Sequence, residues 1–272
     1  MKTKLSIVSL ILSFFLLHFI FSCCTAEKTE SLVIAVSKER LSEIHKYGEW
    51  LAFQQIPLRT IDLSKVKLEN IIDSLKICDG LLLTGGADIY PGHYGKENDT
   101  SRCGSFDHER DTYEMKAFQV AKSLNMPILG ICRGLQIINI IEGGSLTIDL
   151  PTDKGSGELH RIGDEDWATH QVSFTKGSLL SNLVATQEVL VASNHHQGID
   201  VLAGSLQPAA TSDDLLIEAI EWNKNSMHPF LLAVQWHPEW MDRSDELSGK
   251  IAKYFLLEAT KFRDQKTKKE GE

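Results

Sequence analysis

One cysteine stands where an apolar run gives way to a helical pattern, and it is the residue best suited to nucleophilic chemistry. Cys132 lies between Gly130 and Gly134, directly after the apolar residues of 128–131. Flanking glycines suit a sharp strand-to-helix turn, because a Cβ on either side would crowd the neighbouring elements. The start of the following helix points free amides and a positive dipole end at the sulfur, which favours the thiolate. From this segment alone, Cys132 is either a nucleophile or a small buried core residue.

A histidine and a glutamate that follow the last apolar strand candidate could complete a thiol site. His237 and Glu239 are two residues apart, so both side chains project from the same face of an extended chain. A thiolate nucleophile needs a base, and the base needs a third group that fixes its tautomer. Alone, a His-x-Glu pair is a common surface feature. Together with the Cys132 turn, it favours a Cys–His–Glu site.

Acyl transfer also needs N–H donors for the negative oxygen of a tetrahedral intermediate. The amide of Arg133, the residue after the cysteine, is one candidate. The Gly85-Gly86 turn offers another, because glycine lets the backbone approach a substrate closely.

The elements that would position these residues alternate between apolar strand runs and amphipathic helices. Such alternation predicts an α/β fold with a mostly parallel sheet covered on both faces. Sites in these sheets gather outside the carboxyl ends of the strands. The predicted strands are 31–37, 59–63, 79–84, 128–131, 145–150, 171–175, 189–193 and a hairpin-like pair at 215–221 and 230–236. The predicted helices are 41–53, 66–75, 107–124, one from 135 onward, and 247–262. Segment 90–106 reads as a long loop, either a cover for the site or a surface insertion.

Composition limits the function classes. The chain has 272 residues, 42% of them hydrophobic, and a net charge of −9, which fits one large globular domain and disfavours nucleic-acid binding. We predict no cofactor and no metal, because no histidine pair has i, i+4 helical spacing and no Cys-x-x-Cys occurs. The residues that nonetheless invite a metal interpretation are His160, His170, His195, His196, His237 and Glu239.

The N-terminus has the pattern of an export signal. Two lysines precede a nearly unbroken apolar run, and Cys23 follows a small residue, as in a lipoprotein cleavage site. An ordinary signal peptide or an uncleaved anchor helix are the alternatives. We predict an exported cell-envelope lipoprotein, facing the periplasm or the cell surface and held at the membrane by a lipid on Cys23. The predicted divisions are a signal (1–22), a tether (23–30), a single domain (31–262) and a charged, solvated tail (263–272). In an oxidising compartment Cys78 and Cys103 could pair, or remain two free thiols.

Four motifs occur in order along the chain. They are Leu83-Thr-Gly-Gly-Ala-Asp88, Gly130-Ile-Cys-Arg-Gly-Leu-Gln136, His195-His-Gln197 and Gln235-Trp-His-Pro-Glu239. Together they resemble the class I glutamine amidotransferase superfamily, and most of all its γ-glutamyl hydrolase branch (peptidase C26), over about residues 33–251. This resemblance implies a three-layer αβα, flavodoxin-like domain.

The resemblance implies specific roles. Cys132 would be the nucleophile, His237 the general base and acid, and Glu239 the residue that orients it. The amides of Gly86 and Arg133 would form the oxyanion hole. The residues assigned to substrate binding are Gly85, Gln136, His195 and His196, with Arg110, Asp111 and Glu114 nearby.

Two positions depart from the branch. Ala192 stands where asparagine is usual, and Asp213-Asp214-Leu215 replaces an Asp-Gly turn.

The implied activity is hydrolysis of γ-glutamyl amide bonds through a thioester, with a small γ-glutamyl compound, such as γ-glutamyl-γ-aminobutyrate or a γ-linked peptide, as substrate. One alternative is a glutaminase component that feeds ammonia to a partner enzyme. The other is a non-catalytic envelope lipoprotein that binds γ-glutamyl compounds. Because the chain carries a predicted export signal, γ-linked cell-wall peptides are also candidate substrates.

Overall fold

The computed structural model describes residues 31–39, 46–155, 160–163 and 167–270. The predicted signal and tether, with the lipidation site at Cys23, lie outside this range, as do residues 41–45 of the first predicted helix. Within the described residues, no helix is both long and apolar enough to cross a bilayer.

Eleven strands and seven α-helices are described. The strands are β1 (Leu32–Val36), β2 (Leu58–Asp62), β3 (Gly80–Leu83), β4 (Ile128–Ile131), β5 (Ser145–Thr147), β6 (Ala168–Phe174), β7 (Glu188–Ser193), β8 (Gly198–Val201), β9 (Leu206–Ser212), β10 (Ile217–Trp222) and β11 (Leu231–Val234). The helices are α1 (Tyr47–Ala52), α2 (Ile71–Lys76), α3 (His108–Ser123), α4 (Arg133–Ile141), α5 (Leu150–Asp153), α6 (Leu179–Leu183) and α7 (Glu246–Glu270).

A nine-stranded sheet in the order β2-β1-β3-β4-β11-β10-β9-β6-β7 forms the middle layer. Side chains of α1, α6 and α7 pack on one face, and those of α2, α3 and α4 pack on the other. Successive side chains of the central strands pack on opposite faces of the sheet. Leu82 belongs to one apolar cluster, and Leu81 and Leu83 belong to the other. This arrangement confirms the three-layer α/β fold.

The sheet has a parallel half and an antiparallel half. Strands β2, β1, β3, β4 and β11 pair in parallel. Strands β10, β9, β6 and β7 extend the sheet with antiparallel pairs, including the predicted pairing of β10 with β11. The sequence did not predict β8 or β9. Pro208 within β9 cannot donate to a ladder and removes the usual strand signal.

The last helix is longer than predicted. It continues past Phe262 to Glu270, so the charged tail is helical over its described part. Its last buried residue is Ala259, Phe262 still packs against the core, and four of the remaining residues up to Glu270 are lysines, which favour helix without needing burial.

The segment between β3 and α3 is fixed to the body of the protein. It forms two short 3-10 turns, at Pro91–Tyr94 and Glu97–Arg102. Lys96 Nζ donates to the Leu146 carbonyl and to Asp200, each at 2.8 Å. These contacts favour a cover for the site over a loose insertion.

The two remaining cysteines do not form a disulfide. Cys78 and Cys103 are both free, and Cys78 is buried with its thiol directed at the Ser74 carbonyl. Burial is the main cause that raises the pKa of Cys78, to about 12, so this thiol is unreactive at neutral pH.

Candidate active site

Three neighbouring strand ends bring the predicted chemical residues together. Strand β4 lies between β3 and β11, with Gly130 opposite Leu83 and Ile131 opposite Val234. The Cys132 amide then donates to the Val234 carbonyl at 2.8 Å. The residues that follow these three strands therefore converge at the carboxyl edge of the sheet, as predicted.

The glycines beside Cys132 are required by packing. A Cβ on Gly134 would lie 2.2 Å from the carbonyl oxygen of Leu83, and one on Gly130 would lie 2.8 Å from the Cβ of Ala233. Cys132 itself has a φ of 52°, outside the range that side-chain-bearing residues favour. The turn between β4 and α4 is thus tight, and it presents the cysteine at the first turn of a helix.

His237 connects the cysteine to a carboxylate. Its Nδ1 lies 2.7 Å from Oε1 of Glu239, and the Cys132 side chain is within hydrogen-bonding reach of the same ring. Burial opposes a charged imidazole, but Glu239 and Cys132 outweigh it and raise the pKa of His237 to about 9. An imidazolium at neutral pH stabilises a neighbouring thiolate.

The Gly85-Gly86 turn approaches this pair from β3. A Cβ on Gly85 would lie 2.7 Å from Cε1 of His237, and the Gly85 amide donates to the Tyr47 hydroxyl at 3.0 Å. Gly85 therefore packs behind the histidine ring and does not line the cavity, although its motif implied substrate binding. Gly86 does line the cavity, with Cys132. The Arg133 amide belongs to the first turn of α4, where amides lack intrahelical acceptors.

A buried ionic network supports the turn from behind. The Arg110 guanidinium donates to the carbonyls of Thr84 and Gly85, at 2.9 and 3.0 Å, and to Glu114 at 2.8 Å. Arg133 forms ion pairs with Glu114 and Asp111. A Cβ on Gly86 would lie 2.1 Å from Nη1 of Arg110. Asp111 and Glu114, which the sequence allowed as solvated helix-start residues, are fully buried and pair with these two arginines instead.

A cavity of about 510 Å³ opens in front of Cys132. Both signs of charge border it, from Asp88 and Arg161. Its lining residues are Gly86, Ala87, Asp88, Gly104, Ser105, Cys132, Gln136, Arg161, Trp167, Asn194, His195, His196, Gln197 and His237.

The predicted substrate-binding side chains reach this cavity in different ways. Gln136 lines it, while its amide nitrogen donates to the Gln197 carbonyl at 3.1 Å. His196 bridges two carboxylates, with Nε2 3.0 Å from Asp88 and Nδ1 3.2 Å from Asp149. These contacts, led by the bond to Asp88, raise the pKa of His196.

His195 also borders the cavity, but its ring nitrogens face protein groups. Nδ1 lies 3.0 Å from the Gln197 carbonyl, and Nε2 lies 3.5 Å from the buried carboxylate of Glu218. His160 and His170 contact the same carboxylate. The histidines named in the sequence thus divide between the cavity and a second cluster.

Sequence reasoning missed several residues of the site. Trp167 stands edge-on to the His237 ring at 4.7 Å and stacks on Trp240 at 4.4 Å, forming an aromatic wall beside His237. Arg161 and Asn194 line the cavity. A tryptophan directly before a strand and another directly after Glu239 are the available signals, but neither specifies a partner.

The two departures from the hydrolase branch have different outcomes. The Ala192 carbonyl accepts from the His237 amide at 2.9 Å, a contact that does not depend on the side chain. Leu215, at the altered turn, has a φ of 66° with an exposed side chain. Neither change alters the residues around Cys132.

The chain matches the model of the Peptidase C26 family over residues 55–239. It is 38% identical to the glutamine amidotransferase-like protein YvdE of Lactococcus lactis, over 75% of this chain and 84% of that protein. It is 34% identical to the γ-glutamyl-γ-aminobutyrate hydrolase PuuD of Escherichia coli, over 70% of this chain and 74% of the relative.

Solved structures agree on the fold. A glutamine amidotransferase from Thermotoga maritima aligns with a TM-score of 0.54 and 21% identity, over 88% of this chain and 85% of that one. The glutaminase domain of Trypanosoma brucei CTPS aligns with a TM-score of 0.59 and 20% identity, over 85% and 94%. The fold is that of class I glutamine amidotransferases. The chain belongs to the Peptidase C26 family, which supports a hydrolase.

Proposed function

We propose that this protein hydrolyses γ-glutamyl amide bonds with Cys132 as nucleophile. The observation that carries the proposal is the buried His237, paired with Glu239 and facing the cysteine at the floor of an open cavity. Such a set is suited to acyl transfer, because it holds a thiolate and a proton donor side by side.

The reaction would proceed in two stages. The Cys132 thiolate attacks the γ-carbonyl carbon, and the amides of Gly86 and Arg133 stabilise the resulting oxyanion. His237 then donates its proton to the leaving amine, the C–N bond breaks, and a thioester remains. Neutral His237 next removes a proton from water, whose oxygen attacks the thioester and releases glutamate and the thiolate. Glu239 keeps the ring oriented through both stages.

The charges around the cavity suit a glutamyl group. A γ-glutamyl compound carries an α-amino and an α-carboxylate group at the end away from the scissile bond. Asp88 and Arg161 provide one carboxylate and one guanidinium in the same lining. His196 and the Gly104 amide, at 3.0 and 2.7 Å from the Asp88 oxygens, fix this carboxylate. We expect Asp88 to bind the α-amino group and Arg161 the α-carboxylate.

The test is release of glutamate from a panel of γ-glutamyl compounds, measured with the unaltered chain and with Cys132→Ala. The panel contains γ-glutamyl-γ-aminobutyrate, glutamine, a folate polyglutamate and a γ-linked cell-wall peptide. Removing a nucleophile of this kind lowers the rate by roughly 10⁴-fold or more. Cys103→Ala is the matched control and should retain activity, because Cys103 is absent from the cavity lining.

The panel also separates the alternatives. Activity on glutamine alone would favour a glutaminase component, and binding without turnover would favour a carrier of γ-glutamyl compounds. Rapid hydrolysis of γ-glutamyl-γ-aminobutyrate with no action on the cell-wall peptide would exclude a cell-wall role.

We further propose that residues 1–22 export the protein and that a lipid on Cys23 holds it at the cell envelope. The basis is the order of basic, apolar and small residues ahead of Cys23. Metabolic labelling with a radioactive fatty acid should mark the unaltered chain and not Cys23→Ala. Equal labelling of both would contradict lipidation at this residue.

A further inference from the structure

A second histidine–carboxylate cluster lies beside the cavity and has no part in the reaction above. Glu218 of β10 is fully buried, and three histidines surround its carboxylate. His170 lies on β6, His160 precedes that strand, and His195 follows β7. The cluster therefore joins three strands of the antiparallel half and the loop that lines the cavity.

The distances in the cluster are too long for ordinary hydrogen bonds. His160 Nδ1 lies 3.3 Å from Oε1 of Glu218, and His170 Nε2 lies 3.5 Å from Oε2. Hydrogen bonds of this kind are usually about 2.7–3.2 Å long. Within the described part of the chain, neither these atoms nor Nε2 of His195 makes a hydrogen bond. Five buried polar atoms thus converge without satisfying one another, which native interiors rarely tolerate.

The same distances match the spacing of ligands around a tetrahedral metal. Ligand atoms about 2.0–2.1 Å from zinc, at tetrahedral angles, are about 3.3 Å apart. We propose that His160, His170 and Glu218 bind a divalent transition-metal ion, with zinc as the best match. One ligand atom from each of these residues lies within 4.8 Å of the others. Nε2 of His195 lies 3.5 Å from Oε1 of Glu218 but does not join this set of three.

The outer contacts of His160 and His195 support this assignment, whereas Nδ1 of His170 has no hydrogen bond among the described residues. Zinc-bound histidines usually donate their other ring N–H to a carboxylate or a backbone carbonyl. His160 Nε2 lies 3.1 Å from Asp214, and His195 Nδ1 lies 3.0 Å from the Gln197 carbonyl. Asp214 is itself fixed by the Ser212 hydroxyl at 2.6 Å. Both rings are therefore oriented with one nitrogen directed at Glu218.

The charge of the cluster points the same way. A buried carboxylate needs a compensating charge. A dication supplies that charge with all three imidazoles neutral.

The ion would be structural. The donor nitrogens and carboxylate oxygens are buried, and His160, His170 and Glu218 do not line the cavity, so a substrate would not reach the ion. By joining His160 to strands β6 and β10, the ion would fix His160 beside Arg161 of the cavity lining.

The experiment is metal analysis of the full chain, purified in detergent without a histidine tag or chelator. We expect about one zinc per chain, retained in Cys132→Ala, and a loss of at least tenfold in His170→Gln. His108→Gln, which removes an exposed histidine, is the matched control and should retain the metal. Less than about a tenth of an equivalent of any transition metal in the unaltered chain would overturn the proposal. Zinc that disappears in Cys132→Ala would place the metal at the thiol and overturn it equally.

A second measurement does not depend on the folding of a variant. X-ray absorption of the zinc-loaded unaltered chain should show only nitrogen and oxygen neighbours at about 2.0–2.1 Å. A sulfur neighbour at about 2.3 Å would assign the metal to a cysteine and refute the cluster.

Discussion

Two buried histidine–carboxylate groups border the same cavity, one through His237 and the other through His195, and the distances within each group distinguish their roles. His237 meets Glu239 at 2.7 Å, one imidazole to one carboxylate, beside a thiol. Around Glu218, the distances to His160, His170 and His195 are 3.3–3.5 Å. A short single contact suits proton transfer, and three longer contacts suit a cation. Residue type alone would not have distinguished them.

The largest effect on rate within this comparison is expected from Glu239→Gln. The variant preserves shape but removes the charge that stabilises the His237 imidazolium. Loss of the orienting carboxylate in comparable sites lowers kcat by about 10⁴-fold, so we expect a loss of about 10²–10⁴-fold in kcat/KM. Steady-state release of glutamate measures it. Glu246→Gln, at an exposed position, is the control. A loss of kcat/KM below tenfold in Glu239→Gln would show that Glu239 is not part of the site.

Gly85→Ala should have the next largest effect. The added Cβ would lie 2.7 Å from Cε1 of His237 and 3.1 Å from the Tyr47 hydroxyl, so the histidine ring must move. Misplacement of a catalytic group by about 1 Å can lower the rate by about 10²-fold. Gly163→Ala, where no atom lies within 4 Å, should be neutral. Equal activity of both variants would contradict the close packing of His237.

The pH profile should report the charge of His237. Because its pKa is raised, the imidazolium and the stability it adds are present at neutral pH and are lost as the pH rises through about 9. The alkaline limb of kcat/KM should therefore have its midpoint near pH 9. In Glu239→Gln this limb should move to lower pH, because Glu239 is the largest cause that raises the pKa. An unchanged limb would show that another group titrates there.

Glu218→Gln should have the smallest effect on rate and a large effect on stability. Glu218 does not line the cavity, so we expect less than about a tenfold change in kcat. Removing one partner of a buried ionic group costs about 3–5 kcal/mol, measurable by urea unfolding. A rate loss above a hundredfold with unchanged stability would show that this cluster takes part in catalysis. The proposed difference in role between the Glu218 cluster and the His237–Glu239 pair would then be wrong.

The sequence predicted the parallel half of the fold and the meeting of Cys132, His237 and Glu239 at one edge of the sheet, because both depend on local signals. The Gly130–Gly134 turn and the His237-x-Glu239 spacing each follow an apolar strand, and parallel strands bring their ends to one edge. The second cluster could not be predicted in this way. Its histidines lie far apart along the chain, and Glu218 alternates within a strand whose partners were not all recognised. The same holds for Asp111 and Glu114, whose burial depends on arginines from two different helices.

The backbone conformation of Cys132 affects the stability of the protein against unfolding. A φ of 52° costs a side-chain-bearing residue roughly 1–2 kcal/mol relative to glycine, partly offset by the greater freedom of glycine in the unfolded chain. Cys132→Gly should therefore be inactive yet resist urea as well as the unaltered chain, or better by up to about 1 kcal/mol. Catalytic activity and stability then place opposite demands on residue 132. In a mixture of the two proteins, the active unaltered chain would unfold before the inactive Cys132→Gly variant.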